Sequence, residues 1–162
     1  MVVKKSQTPQ FIKHAFSEIT SELSKVMTPE HFEEAKKNVC KIVSSYIDKL
    51  KSKSLDLNAL IFSIQISKLP QEGKGQVYDV ARYAVERGIE IRPGSKVEFI
   101  KTIGSFSAKP IGFVSWDDVD IDTYLQHIRS DLGDQILEHL GVDFGELLFA
   151  KDSLTRFFKV ES

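Results

Sequence analysis

Apolar residues recur at three- and four-residue intervals twice in the first third of the chain. Phe11, Ile12, Ala15, Phe16, Ile19 and Leu23 form one series; Phe32, Ala35, Val39, Ile42, Val43, Tyr46, Ile47 and Leu50 form the next. That period stacks side chains on one side of an α-helix, so both stretches predict amphipathic helices. Each follows a Thr-Pro pair, Thr8-Pro9 and Thr28-Pro29. Threonine can accept the unpaired N–H groups of a first turn, and proline suits the first helical position because it has no N–H to leave unpaired. Lys36, Lys37, Lys41 and Lys49 fall mostly off the apolar side of the second series. Two such helices joined by a short turn make a helical hairpin.

The pattern then changes. "KLKSKSLDLN", 49–58, is a polar connector in which Asp56 is expected to cap a short turn. "LIFSIQIS" alternates through Ile64 and Ile66 and predicts a strand. After the loop "SKLPQEGKGQ", 67–76, "QVYDVARYAVERG" predicts a helix with Val77, Val80, Ala81 and Ala84 inward and Gly88 as its stop. "IEIRPGSKVEFIKTI" predicts a strand through Val97, Phe99 and Ile100 behind a Pro93-Gly94 turn, with "KPIGFVSW", 109–116, as its partner. From Asp120, Ile121, Tyr124, Leu125, Ile128, Leu132, Ile136, Leu137 and Leu140 predict one long helix closed by Gly141, with Gly133 weakening its middle. The expected fold is α+β and helix-rich: an N-terminal helical hairpin, a small central sheet and C-terminal helices. The expected divisions are 1–55, 56–148 and a tail, 149–162.

Composition narrows the possible functions. The chain has 162 residues, 41% of them hydrophobic, and a formal net charge of −1. That is enough to bury a core, and too little positive charge for a protein that binds nucleic acid with its whole surface. The charge is unevenly placed. Residues 1–53 hold ten lysines against six acids, whereas Asp117 to Glu146 hold nine acids opposed only by Arg129. A polyanion is therefore expected at the front of the chain and the central loop. A single cysteine, Cys40, at an apolar helical position excludes a disulfide framework within the chain. With no apolar run of about 20 residues, the expectation is a soluble, cytoplasmic protein with no membrane partner.

Candidate chemistry is sparse. Asp117, Asp118, Asp120 and Asp122 raise the possibility of a carboxylate metal site and hence of a metal-dependent nuclease, but acids before a helix also stabilise its positive end. The second reading is preferred. His14, His31, His127 and His139 share no ligand spacing. The glycine and lysine loop 67–76 lacks a phosphate-loop pattern, because Lys74 is followed by Gly75 rather than Ser or Thr. A rival to any nucleic-acid role is a non-enzymatic adaptor whose hairpin presents an apolar groove to a partner protein.

Several short motifs, in order and over nearly the whole chain, resemble the C-terminal thumb region of archaeal family B DNA polymerases. "VVKKSQTPQF" is similar to the strand that leaves the palm with a basic pair, here Lys4 and Lys5. "SIQISKLPQEGK" is similar to a strand ending in Lys-Pro-Leu followed by a Tyr-Lys pair. "ERGIEIRPGSKVEFI" resembles the family's Gly, Pro-Gly and alternating strand, and "DIDTYLQHI" the start of its last long helix. The sequence departs from the family where Leu69-Pro70 reverses the order, where Gly73 replaces the tyrosine, and in a shortened segment before Gln76.

The resemblance implies a domain that grips primer-template duplex DNA through its phosphates. Lys4, Lys5, Lys68, Gly73, Lys74, Gly75, Gln76 and Arg82 are the expected DNA-binding residues; only Gln76 and Arg82 are nominated to reach bases. It implies no catalytic residue or cofactor in this chain, since the Mg²⁺-binding aspartates of the palm would precede residue 1. The chain is thus expected to be a truncated polymerase or the small piece of a split one, partnered by the rest. The tail places Lys151, Leu154, Phe157 and Phe158 at the spacing of the peptide with which such polymerases dock on a sliding clamp, with Lys151 in place of glutamine.

Overall fold

The computed structural model describes residues 8–149, and they group into two compact units. The first is discontinuous in sequence, containing residues 11–55 and those from Tyr124 onward; the second contains 56–123. The helical segment beyond Tyr124 groups with the hairpin instead of with the sheet.

In the first unit, α1 (Gln10–Ser24) and α2 (Pro29–Lys51) form the hairpin. Thr28 caps α2 by accepting from the His31 N–H at 3.1 Å, and Pro29 follows as the first helical residue. Pro9, by contrast, lies one residue before α1. Phe11, Ile12, Ala15 and Ile19 from α1 and Val39, Cys40, Val43, Ile47 and Leu50 from α2 are buried. At the edge of this core the Tyr46 hydroxyl donates to Glu18 at 2.7 Å and the Asn38 amide to Glu22 at 3.1 Å.

The expected long helix after Asp120 is not uniform. α4 (Ile121–Ile128) passes into nine residues of wide π-helical winding, Arg129–Leu137, then a 3-10 turn that ends at Gly141 with φ +75°. The Glu138 N–H reaches back five residues to the Gly133 carbonyl, the signature of that winding. Gly133 packs closely against Phe144: a Cβ there would sit 3.3 Å from its ring, so the ring would have to give by a few tenths of an ångström. Phe144 opens α5 (Phe144–Phe149), which the hydrophobic spacing did not announce.

In the second unit three antiparallel strands lie in the order β1 (Phe62–Gln65), β2 (Lys96–Lys101), β3 (Ala108–Pro110). Phe62 pairs with Phe99 and Ile64 with Val97, and the Phe62 and Phe99 rings stack at 5.7 Å. The expected partner strand 109–116 shrinks to three residues because the chain turns away at Gly112, φ +90°. A 3-10 turn at Leu57–Leu60 is capped by Asp56, as the sequence suggests. Helix α3 (Gln76–Glu86) buries Val80, Ala81, Tyr83 and Ala84 within this unit.

Candidate functional site

Loop 67–75 joins β1 to α3, and α3 itself builds it. The Tyr78 hydroxyl accepts from the Ser67 and Lys68 N–H groups at 3.3 and 3.2 Å. Its ring covers Gly73 so closely that a Cβ there would lie 2.1 Å from ring carbons. One turn further, Arg82 Nη1 donates to the Pro70 and Gly73 carbonyls at 2.8 and 2.9 Å, while Nη2 pairs with Asp79. The N–H groups of Glu72 and Gly73 close onto the Leu69 carbonyl. A flexible-looking sequence is thus held from one helix face by two side chains four residues apart.

Two lysines and one acid of the loop, Glu72, face outward. Lys68 and Lys74 are exposed, and among the described residues no carboxylate pairs with either. Between them the start of α3 has no side-chain cap: Gly75 occupies the N-cap with φ +107°, a conformation that favours glycine. The first N–H groups of α3 therefore lack a local acceptor, and the helix dipole adds partial positive charge at that end. Burial acts to raise the Tyr78 phenol. The Ser67 hydroxyl, the Ser67 and Lys68 N–H groups and the Lys68 charge outweigh it, and the phenol sits below its ordinary value.

Gln76 and Arg82, the two residues expected to reach bases, also bond within the protein. Arg82 holds the loop carbonyls, and Gln76 Nε2 donates to the Ser107 hydroxyl at 3.0 Å, tying α3 to the turn between β2 and β3. Tyr78, which shapes the loop, is not among the expected site residues; its place two residues inside the helix start, close to a glycine loop, is the sequence signal for it. Lys4, Lys5, Lys151, Leu154, Phe157 and Phe158 lie outside the described residues.

The aspartate run caps turns. Asp118 accepts from the Ser115 N–H at 3.0 Å and from its hydroxyl. The Ser115 N–H is the main cause holding Asp118 below the usual carboxylate range, helped by the hydroxyl and Lys109 and opposed by slight burial. Asp120 accepts from the Thr123 N–H and hydroxyl at 3.2 and 2.7 Å. Among the described residues no three of His, Cys, Asp and Glu are grouped to hold a metal, and no helix is long and apolar enough to cross a membrane.

The chain is thus a helix-rich α+β protein with a small three-stranded antiparallel sheet. It is homologous to the C-terminal part of archaeal DNA polymerase 1 proteins. The DNA polymerase 1 of Saccharolobus solfataricus is 28% identical over 100% of the chain, and that of Sulfolobus acidocaldarius 29% identical over 98%. That of Aeropyrum pernix is 28% identical over 91%. The chain spans only 18%, 18% and 16% of the length of these relatives. Its fold is similar to that of the family B DNA polymerase from the hyperthermophilic archaeon Pyrobaculum calidifontis, with a TM-score of 0.65 and 23% identity. That likeness covers 80% of this chain and 18% of that one. No protein-family model matches the chain.

Proposed function

We propose that this chain is the DNA-gripping thumb of a polymerase of the archaeal family B type, and that loop 67–76 is its phosphate contact. The observation that carries the reading is the preformed loop: Tyr78 and Arg82 fix its backbone and leave Lys68 and Lys74 exposed beside the uncapped start of α3. Lys4 and Lys5 extend the cationic set in sequence. A fixed loop loses little entropy when a phosphate arrives, and phosphates carry no base identity, so binding is expected to be indifferent to sequence. Bond-forming chemistry and its Mg²⁺ are assigned to the palm of the partner polymerase segment. The cytoplasm suits a chain whose buried Cys40 remains a thiol.

Labelled primer-template duplex titrated with the full chain at two salt concentrations tests this. Binding should be weak and salt-sensitive, and the Lys68→Ala, Lys74→Ala double variant should lower the salt slope by about 1 to 2. An unchanged slope removes the loop from the DNA surface. We extend the proposal to the tail, where the spacing of Leu154, Phe157 and Phe158 suits a sliding-clamp pocket. A 148–162 peptide that fails to bind the cognate clamp at micromolar strength would end that part.

A further inference from the structure

Behind the phosphate loop, α3 and the turn between β2 and β3 enclose a groove of about 330 Å³. Its rim carries Phe106, which stays 45% exposed although it is a large apolar ring. The ring is held in place. Thr102 Oγ1 donates to the Phe106 carbonyl at 2.7 Å, the Thr102 N–H closes onto Ser107 at 2.9 Å, and Gln76 binds Ser107 from the other side. Edge contact with Tyr83 at 4.8 Å fixes its tilt. An aromatic ring kept exposed on a rigid turn is a stacking platform in search of a flat partner.

The polar lining carries two carboxylates, Asp79 and Glu86, whose side chains are 66% and 74% exposed and pair with Arg82 and Arg87. Gln76 has its N–H₂ engaged with Ser107, so its remaining hydrogen-bonding atom is the acceptor Oε1. Two carboxylates against Arg82 leave the lining net negative, which disfavours a phosphate in the groove while an amino group on a base edge finds acceptors there.

Gln76 and Arg82 also link the groove to loop 67–76, one through Gly75 in sequence and the other through the loop carbonyls. We infer that the groove takes one unpaired nucleobase of a DNA strand, stacked on Phe106, with preference for bases bearing an exocyclic amino group. The inference deepens the phosphate-grip reading and rests on it for the identity of the ligand: a strand whose phosphates lie on Lys68 and Lys74 has its next unpaired base within this same unit.

The full chain is titrated with three probes: the oligonucleotides (dC)8 and (dT)8, and a blunt duplex. Expected are tighter binding of (dC)8 than of (dT)8 and a loss of about five- to a hundredfold in (dC)8 affinity for Phe106→Ala, the range of one base–aromatic stack. Phe106→Trp should retain binding, Phe106→Leu should lose it, and duplex affinity should stay unchanged in all three. Melting temperatures confirm that each variant folds; Phe106→Leu keeps apolar bulk and isolates the ring. Equal (dC)8 binding by wild type and Phe106→Leu overturns the base site while leaving the phosphate grip intact. Ring-dependent (dC)8 binding with no duplex binding would do the reverse. Absence of binding to any probe overturns both.

Discussion

Replacing Gly73 with alanine puts the loop's construction under direct strain. The new Cβ would lie 2.1, 2.1 and 2.3 Å from Cδ1, Cε1 and Cγ of Tyr78. Carbon atoms settle at about 3.5 to 4.0 Å, so either the ring or the loop must retreat by more than an ångström. Cγ is the root of the ring, so rotating its far end gives no relief, and moving the whole ring breaks the hydroxyl from the Ser67 and Lys68 N–H groups. Overpacking of this kind costs about 1 to 3 kcal/mol. For a chain of this length that corresponds to a fall of about 2 to 12 °C in melting temperature.

The assay is a double-mutant cycle with Tyr78→Ala, followed by urea denaturation and by amide exchange at Ser67 and Lys68. Removing the ring removes the clash, so at least half of the Gly73→Ala cost should vanish in the Tyr78→Ala background. Exchange at both amides should accelerate in Gly73→Ala alone. A cost below about 0.5 kcal/mol, or an equal cost with and without the ring, would refute the close approach.

Arg82→Lys keeps the charge and loses the planar fork; a lysine cannot bridge the Pro70 and Gly73 carbonyls as the guanidinium does. A loss of about 1 to 2 kcal/mol in urea denaturation is expected, and a neutral result would mean the loop holds without that bridge. The Glu22 carboxyl is held below its ordinary value of 4.5, first by the Asn38 amide and then by Lys25, against some burial. Its folded pKa is thus depressed, so the stabilisation is complete above the ordinary value and fades as pH falls through the folded one. Glu22→Gln should flatten this part of the acid-side stability curve, and an unaltered curve below pH about 5 would discount the contact.

Much of the fold could be read from local chemistry. Thr28-Pro29, Asp56, Gly88, Pro93-Gly94 and Gly141 act where predicted because capping and positive φ are decided within four or five residues. The break in the long C-terminal helix is a tertiary matter. Gly133 signals weakness, but the Phe144 ring packed against it lies outside any periodicity across 120–141. The short β3 is a different case: the Gly112 turn that ends it is local, but nothing in the alternation of 109–116 marks it. Within the candidate site the sequence identifies the cations, since exposed lysines need no partner to be recognised. What the sequence does not reveal is that Arg82 also staples the loop, because that depends on the 2.8 and 2.9 Å approach of two carbonyls from elsewhere in the fold.

Charge arithmetic limits what loop 67–76 would contribute on the proposed reading. Its two lysines and one helix start would amount to about two phosphate contacts, and a salt slope of about −1.8 would make that contribution fall only about tenfold between 50 and 200 mM salt. Glu72, Asp79 and Glu86 stand on the same loop and helix, and all three are exposed. They confine attraction to the loop's crest instead of spreading it over the surface. On the proposed reading, a contact of that strength would orient a duplex held elsewhere and release it readily. Its value would lie in where the loop is fixed, and Tyr78 fixes it. Tyr78→Phe keeps the ring over Gly73 and both lysines, yet removes the acceptor for the Ser67 and Lys68 N–H groups. If placement matters more than charge, that variant should weaken duplex binding while leaving the salt slope at its original value. A loss of slope with no loss of affinity would show the opposite, that the lysines act as a diffuse charge and the loop's geometry is incidental.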